Sequence, residues 1–172
     1  MMVDSSYQFI ARDGTPLLFY RTSAPLISPK DIADINKRYE KDLGVRVRNS
    51  RFSNEYNCHG LTFVAKLGWF DNVPDMLRCH GYTKIGDCPN FDVDNISTTE
   101  EIMRGDVVVY YNGSSSNPTH TGIVWAKGTR KGKLWITVLS KWGAHSEYFH
   151  RHDKVPVLDY GTTIEIWTDR II

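Results

Sequence analysis

The chain predicts an α+β fold, with helices first and an antiparallel meander after them, and three features carry that expectation. A capped segment with apolar residues at helical spacing runs from Ser28 to Gly44. A continuous β-branched and aromatic run occupies Asp106 to Tyr111. Two further strand patterns, His120 to Ala126 and Leu134 to Ser140, follow it closely.

Before the helix, Gln8 to Ile10 and Leu17 to Tyr20 flank Asp13-Gly14, a dipeptide that tolerates positive φ, so the chain opens as a β-hairpin. In the helix, Ser28 is the cap and Pro29 the first helical residue. Ile32, Ile35 and Tyr39 repeat on one face, and Gly44 ends the pattern. A polar stretch, Asn54 to Asn57, leads into Cys58 to Trp69, which reads as a helix buried on most sides. A short helix is expected over Val73 to Cys79, closed by Gly81, then loop from Gly86 to Asn95. Thr98 with Glu101 forms a capping box for one more turn. Val155 to Leu158 and Thr162 to Thr168 are expected to add strands at the end.

At 172 residues with ordinary globular composition, the chain is expected to be one domain, residues 1–172, with the hairpin and helix of about 1–50 extending the core. Its 21 basic and 20 acidic residues leave a net charge of +1, and the cations are scattered. Nucleic acid is therefore not an expected partner, and neither is a membrane. The first residues lack the basic and apolar regions of a secretory signal, so the expected address is cytoplasmic where made, with a non-Sec route or phage lysis as the means of any export. Three cysteines, Cys58, Cys79 and Cys88, form no C-x-x-C pair, and with His59 and His80 they match no zinc spacing; no cofactor and no metal is expected.

A thiol attacks carbonyl carbon as thiolate, and a helix start favours that anion. Cys58 stands at such a start. A nucleophilic thiol also needs a base, usually histidine, and of six histidines only His120 opens a strong strand, behind a Gly- and Ser-rich loop. Its side chain is expected to point into a cleft.

These segments carry a resemblance. Tyr56-Asn57-Cys58-His59-Gly60-Leu61, then Arg104-Gly105-Asp106-Val107-Val108-Val109, then Thr119-His120-Thr121-Gly122-Ile123-Val124 resembles the NlpC/CHAP-type papain-like cysteine peptidase and amidase superfamily. The resemblance spans about Asn54 to Ser140. It implies a cysteine-bearing helix packed on an antiparallel sheet, a G-D strand before the H-x-G strand, and a hydrolase cleaving an amide through a thioester. It also implies a peptide or peptidoglycan-like substrate, with a delivery or inhibitor protein as a further partner. His59-Gly60 departs from the Ser-Gly that follows the cysteine in the wall hydrolases of the group.

In such sites a polar residue fixes the tautomer of the base, and the resemblance puts it on the next strand. If residues 128–133 are the turn, Ser140 or Lys141 lies opposite His120. Lysine offers no acceptor to an imidazole N–H, so Ser140 is preferred, with His145, His150 and Asp153 as alternatives. For the oxyanion, the backbone N–H of Cys58 is one donor and Asn54, Tyr56 or Asn57 the other, with helix capping the competing role of Asn57. Trp142 is expected to wall the cleft. His145, His150 and His152, beside Glu147 and Asp153, read as a solvated loop. The rival to an enzyme is a binding module that keeps the fold without turnover.

Overall fold

The computed structural model describes residues 3–22, 27–50, 55–93, 101–113 and 117–171. Helix and antiparallel sheet are mixed, as the sequence predicts. Strands β1 (Val3–Ile10) and β2 (Pro16–Thr22) pair as the expected hairpin. Helix α1 (Pro29–Leu43) begins where Ser28 accepts from the Asp31 N–H and stops at Gly44, whose φ of 67° suits glycine.

A seven-stranded antiparallel sheet forms the centre, in the order β3-β8-β7-β6-β5-β9-β4. Its strands are β3 (Arg46–Asn49), β4 (Thr83–Cys88), β5 (Val107–Tyr111), β6 (Pro118–Arg130), β7 (Lys133–Lys141), β8 (Glu147–Arg151) and β9 (Thr163–Thr168). Strand alternation sends residues to two faces. Val108, Tyr110, Val124, Val138, Tyr148, Ile164 and Ile166 build the larger core on one face, where Tyr39 of α1 packs and Asn36 accepts from the Tyr148 hydroxyl at 2.6 Å. Val107, Val109 and Leu139 face the other way, toward helices α2 (Cys58–Phe63) and α3 (Val73–Cys79).

Several expectations are corrected. The helix from Cys58 stops at Phe63, not Trp69. Ala65 and Lys66 take positive φ, and Trp69 pairs with Tyr20 through two backbone hydrogen bonds, so β2 captures the end of this segment as extended chain. Gly86 to Cys88, the start of the segment expected as loop, belong to β4, because pairing with β9 overrides the weak strand propensity of Thr83 to Cys88. Val155 to Leu158 is not a strand. Pro156 has no N–H for a ladder, and its carbonyl instead accepts from Asp159 and Tyr160, starting the helical turn α4 (Val157–Tyr160). The Glu147 to Asp153 segment holds β8, with His150 and His152 buried, so it is not a solvated loop. Thr98, in the expected capping box, and Asn54 lie outside the described residues.

The β6–β7 turn is two residues, Lys131-Gly132, both at positive φ, and not the six of 128–133. A bulge at Trp125 takes up one more residue. The ladder ends at Ile123↔Leu139, and its continuation puts Ser140 opposite Gly122, not His120.

Gly161 closes α4 at φ 80°, and a methyl there would run into the Tyr111 carbonyl. Gly14 has φ 89° in open space. Gly161→Ala should therefore cost roughly 3 kcal/mol and Gly14→Ala about 1 kcal/mol in urea melts. Equal costs would contradict the close approach of α4 to β5.

Candidate active site

Cys58 is the first residue of α2, and the cap before it is fully used. The Asn57 side-chain oxygen accepts from the N–H groups of Gly60 at 2.7 Å and Phe70 at 3.2 Å, while its amide donates to the Phe70 carbonyl and to Asp71. Asn57 caps the helix and has no donor left for an oxyanion.

A one-way chain of protons docks α2 on β6. Thr62 donates to the Cys58 carbonyl at 2.9 Å, and Thr121 donates to Thr62 at 3.0 Å. The hydroxyl proton of Thr121 is thereby spent, so the 2.9 Å contact with His59 is a donation from His59 Nδ1–H. Even-numbered residues of this part of β6 turn their N–H groups to β5, as Val124 does to Asp106, so the N–H of Thr121 points the other way. Past the last β6–β7 pair it meets sulfur: the backbone N–H groups of Thr121, His59 and Cys58 itself all favour a Cys58 thiolate. Burial outweighs them and pushes the thiol up to about 11, so the resting group is protonated at neutral pH.

His120 lies on the opposite face from α2, because it alternates with Thr121. It has no exposed surface, and it sits two residues inside the strand rather than at its mouth. Its ring stacks on Tyr160 at 3.9 Å and lies 5.2 Å from Tyr110. Neither ring nitrogen has a hydrogen-bond partner among the described residues, Cys58 included. Burial first, then the neighbouring His150 and His59, hold the imidazole well below its ordinary range.

Ser140 serves a different histidine. His150 donates from Nδ1 to the Arg151 carbonyl, so its Nε2 accepts the Ser140 proton at 2.8 Å, and Trp142 Nε1–H donates to Ser140 at 3.0 Å. Trp142 is buried among Tyr39, Tyr148 and His150 and walls no cleft, which corrects that expectation. Tyr56 donates its hydroxyl to Glu147 at 2.5 Å and is likewise not aimed at Cys58. His145 is half-buried; its carbonyl accepts from Lys141 Nζ at 2.6 Å. Asp153 pairs with Arg151.

A surface cleft of about 920 Å³ is lined by Phe91, Trp135, Arg151 and His152, and neither Cys58 nor His120 reaches it or two smaller ones of about 460 and 260 Å³. The candidate site is thus set by its chemistry and not by cavity size. Residues missed at the sequence level are Thr121, inside the T-H-T motif, and Tyr160, whose Tyr-Gly pair signals only a chain reversal. No group of three or more acidic, histidine or cysteine side chains poised for a metal occurs among the described residues, and none of their helices is long and apolar enough to cross a membrane. No family model, curated protein or solved structure matches the chain.

Burial holds His59 and His150 neutral, each at about 4 against an ordinary 6.5. The unfolded chain thus binds more protons below pH 6.5, and stability is lost as pH falls from there toward 4. The unfolding free energy from urea melts should drop between pH 7 and pH 4.5, by roughly 2–3 kcal/mol for each histidine, with His120 acting in the same direction. His150→Gln should flatten the profile in that window; an unchanged slope would contradict the neutral, hydrogen-bonded imidazole.

Proposed function

We propose that the protein is a cysteine-dependent hydrolase of the papain-like NlpC/CHAP type, cleaving an amide through a Cys58 thioester. The observation that carries this proposal is the thiol at the first residue of α2, lodged against the backbone of β6 one residue from His120, with three N–H groups favouring its thiolate. Movement of Tyr160 off His120 would free the imidazole and admit substrate. The freed imidazole must also swing toward the sulfur, which it does not touch in the resting structure, and His120 then takes the thiol proton as sulfur attacks the carbonyl carbon. The oxyanion so formed faces the N–H groups at the start of α2. His120 returns the proton to the leaving amine, and water, activated by the same ring, hydrolyses the thioester. Ser140 enters this scheme as a support of His150 and not as a direct partner of His120.

A second reading has its own observation. The protonated, buried thiol and the absence of either residue from the described cavities suit a binding module that keeps the fold without turnover.

The proposed substrates are peptide bonds of the kind found in peptidoglycan stems. A wall substrate requires delivery to the wall by a phage, a secretion apparatus or a partner protein, whereas an intracellular peptide or isopeptide does not. Wild-type protein, Cys58→Ala and His120→Ala should be incubated with purified sacculi of several wall types and the released muropeptides read by mass spectrometry. Fragments that vanish with Cys58→Ala and fall about 10²–10⁴-fold with His120→Ala support the wall hydrolase. No release by protein whose Cys58 is demonstrably reactive would remove the wall substrate. An inert Cys58 would favour the binding module.

A further inference from the structure

Beyond the last β6–β7 pair, Ile123↔Leu139, the register runs on through Gly122 opposite Ser140 to Thr121 opposite Lys141, and the Thr121 N–H there is aimed at Cys58 sulfur. Lys141 has no exposed surface. Its Nζ donates to the His145 carbonyl at 2.6 Å and stands 5.1 Å from the ring centre of Tyr56, two residues before Cys58. Its cross-strand neighbour Glu147 is the natural counter-ion, yet that carboxylate is occupied by Arg48 at 2.8 Å, Lys66 at 2.5 Å and Tyr56 at 2.5 Å. Among the described residues no carboxylate comes within 4 Å of Lys141 Nζ. A buried ammonium held by one carbonyl and one aromatic face lacks a formal counter-charge, which is costly.

We infer that Lys141 is the charge partner of the Cys58 thiolate: its ammonium stabilises the anion, and the anion supplies the counter-charge that the buried ammonium lacks. This deepens the hydrolase proposal and rests on Cys58 as its nucleophile.

Burial holds Lys141 down to about 8, and Glu147 and then Cys58 act to raise it. The other charged groups that face it are Lys66, from the turn after α2, and Glu55, ahead of α2; Arg48 of β3 lies on Glu147, and His145 is close enough to feel the ammonium. Loss of one proton from the thiol–ammonium pair gives two forms of equal protonation, thiolate–ammonium and thiol–amine, whose ratio does not change with pH. The reactive thiolate–ammonium form therefore grows tenfold per pH unit up to about 8 and then levels off.

The test is the rate of Cys58 alkylation by iodoacetamide from pH 6 to 10, assigned by mass spectrometry, in wild type, Lys141→Met and Lys141→Arg. Wild type should flatten for about one pH unit above 8 and then climb again as the thiolate–amine form takes over. Lys141→Met should react about tenfold or more slower at pH 7.5 and climb through pH 8 without levelling. Lys141→Arg should keep the rate within about threefold and lose the plateau, since arginine stays charged. Identical rates and profiles in wild type and Lys141→Met would overturn the assignment. A second measurement does not depend on the lysine variants folding: the titration of Lys141 followed by ¹³Cε NMR in wild type and Cys58→Asp, which holds a negative charge where the thiolate forms. A midpoint that rises by about half a unit or more in Cys58→Asp supports the pair, and an unmoved midpoint overturns it. A pair that titrates together but yields no product from any substrate leaves this assignment standing and removes the hydrolase. Turnover whose pH profile ignores Lys141→Met removes the assignment alone.

Discussion

Thr121 holds the helix and the sheet of the candidate site together. Its hydroxyl accepts from His59, donates to Thr62 and through it reaches the Cys58 carbonyl, while its N–H is aimed at the Cys58 sulfur. Both ends of that residue are thus used on the first turn of α2. The period of the strand then fixes the rest: Thr121 faces α2, so His120 must face the larger core on the other side. The sulfur docks on the Thr121 N–H while the imidazole of the preceding residue turns into the larger core, and the open end of the β6–β7 ladder is where the Cys58 thiol, a lysine and a strand backbone converge.

Two opposed effects act on the thiol, and their sizes decide the resting state. Three N–H groups favour the anion, yet desolvation wins and lifts the thiol to about 11. As the proposed nucleophile, such a thiol needs either water to reach it or a cation beside it. Tyr160 governs the first, since its ring covers His120 and its carbonyl is held by Thr119 at 2.8 Å. Lys141 supplies the second. Tyr160 is tethered at its C-terminal side by Gly161, whose conformation and close approach to the Tyr111 carbonyl admit no side chain. The cover over His120 is therefore built by local chain geometry as much as by ring stacking.

Much of this was legible in residues that act locally. Ser28-Pro29 and Gly44 bound α1, Asp13-Gly14 turns the first hairpin, and the apolar runs at β5 to β7 carry their own strand signal. What could not be read depends on partners distant in sequence. β3 is four residues with two arginines and exists as an edge because β8 pairs with it; β4 needs β9; and the end of the Cys58 helix is set by β2. At the site, Cys58 at a helix start was legible because Asn57 caps it. The place of Ser140 was not, because a one-residue bulge at Trp125 and a tighter turn at Lys131-Gly132 move the register, and a shift of this kind changes every cross-strand partner. The burial of Trp142 and the roles of Thr121 and Tyr160 depend on which face each strand presents, which no local pattern reveals.

The central claim is that Cys58, although buried, is the chemically active thiol of this chain. Competition among the three cysteines for iodoacetamide in the native protein at pH 7 tests it most directly, with each site quantified by mass spectrometry and the His120→Ala protein run in parallel. Selective labelling of Cys58, ahead of Cys79 and Cys88 and slowed in His120→Ala, is the predicted result. Labelling of all three together, only as fast as the protein unfolds and unaffected by His120→Ala, would contradict it.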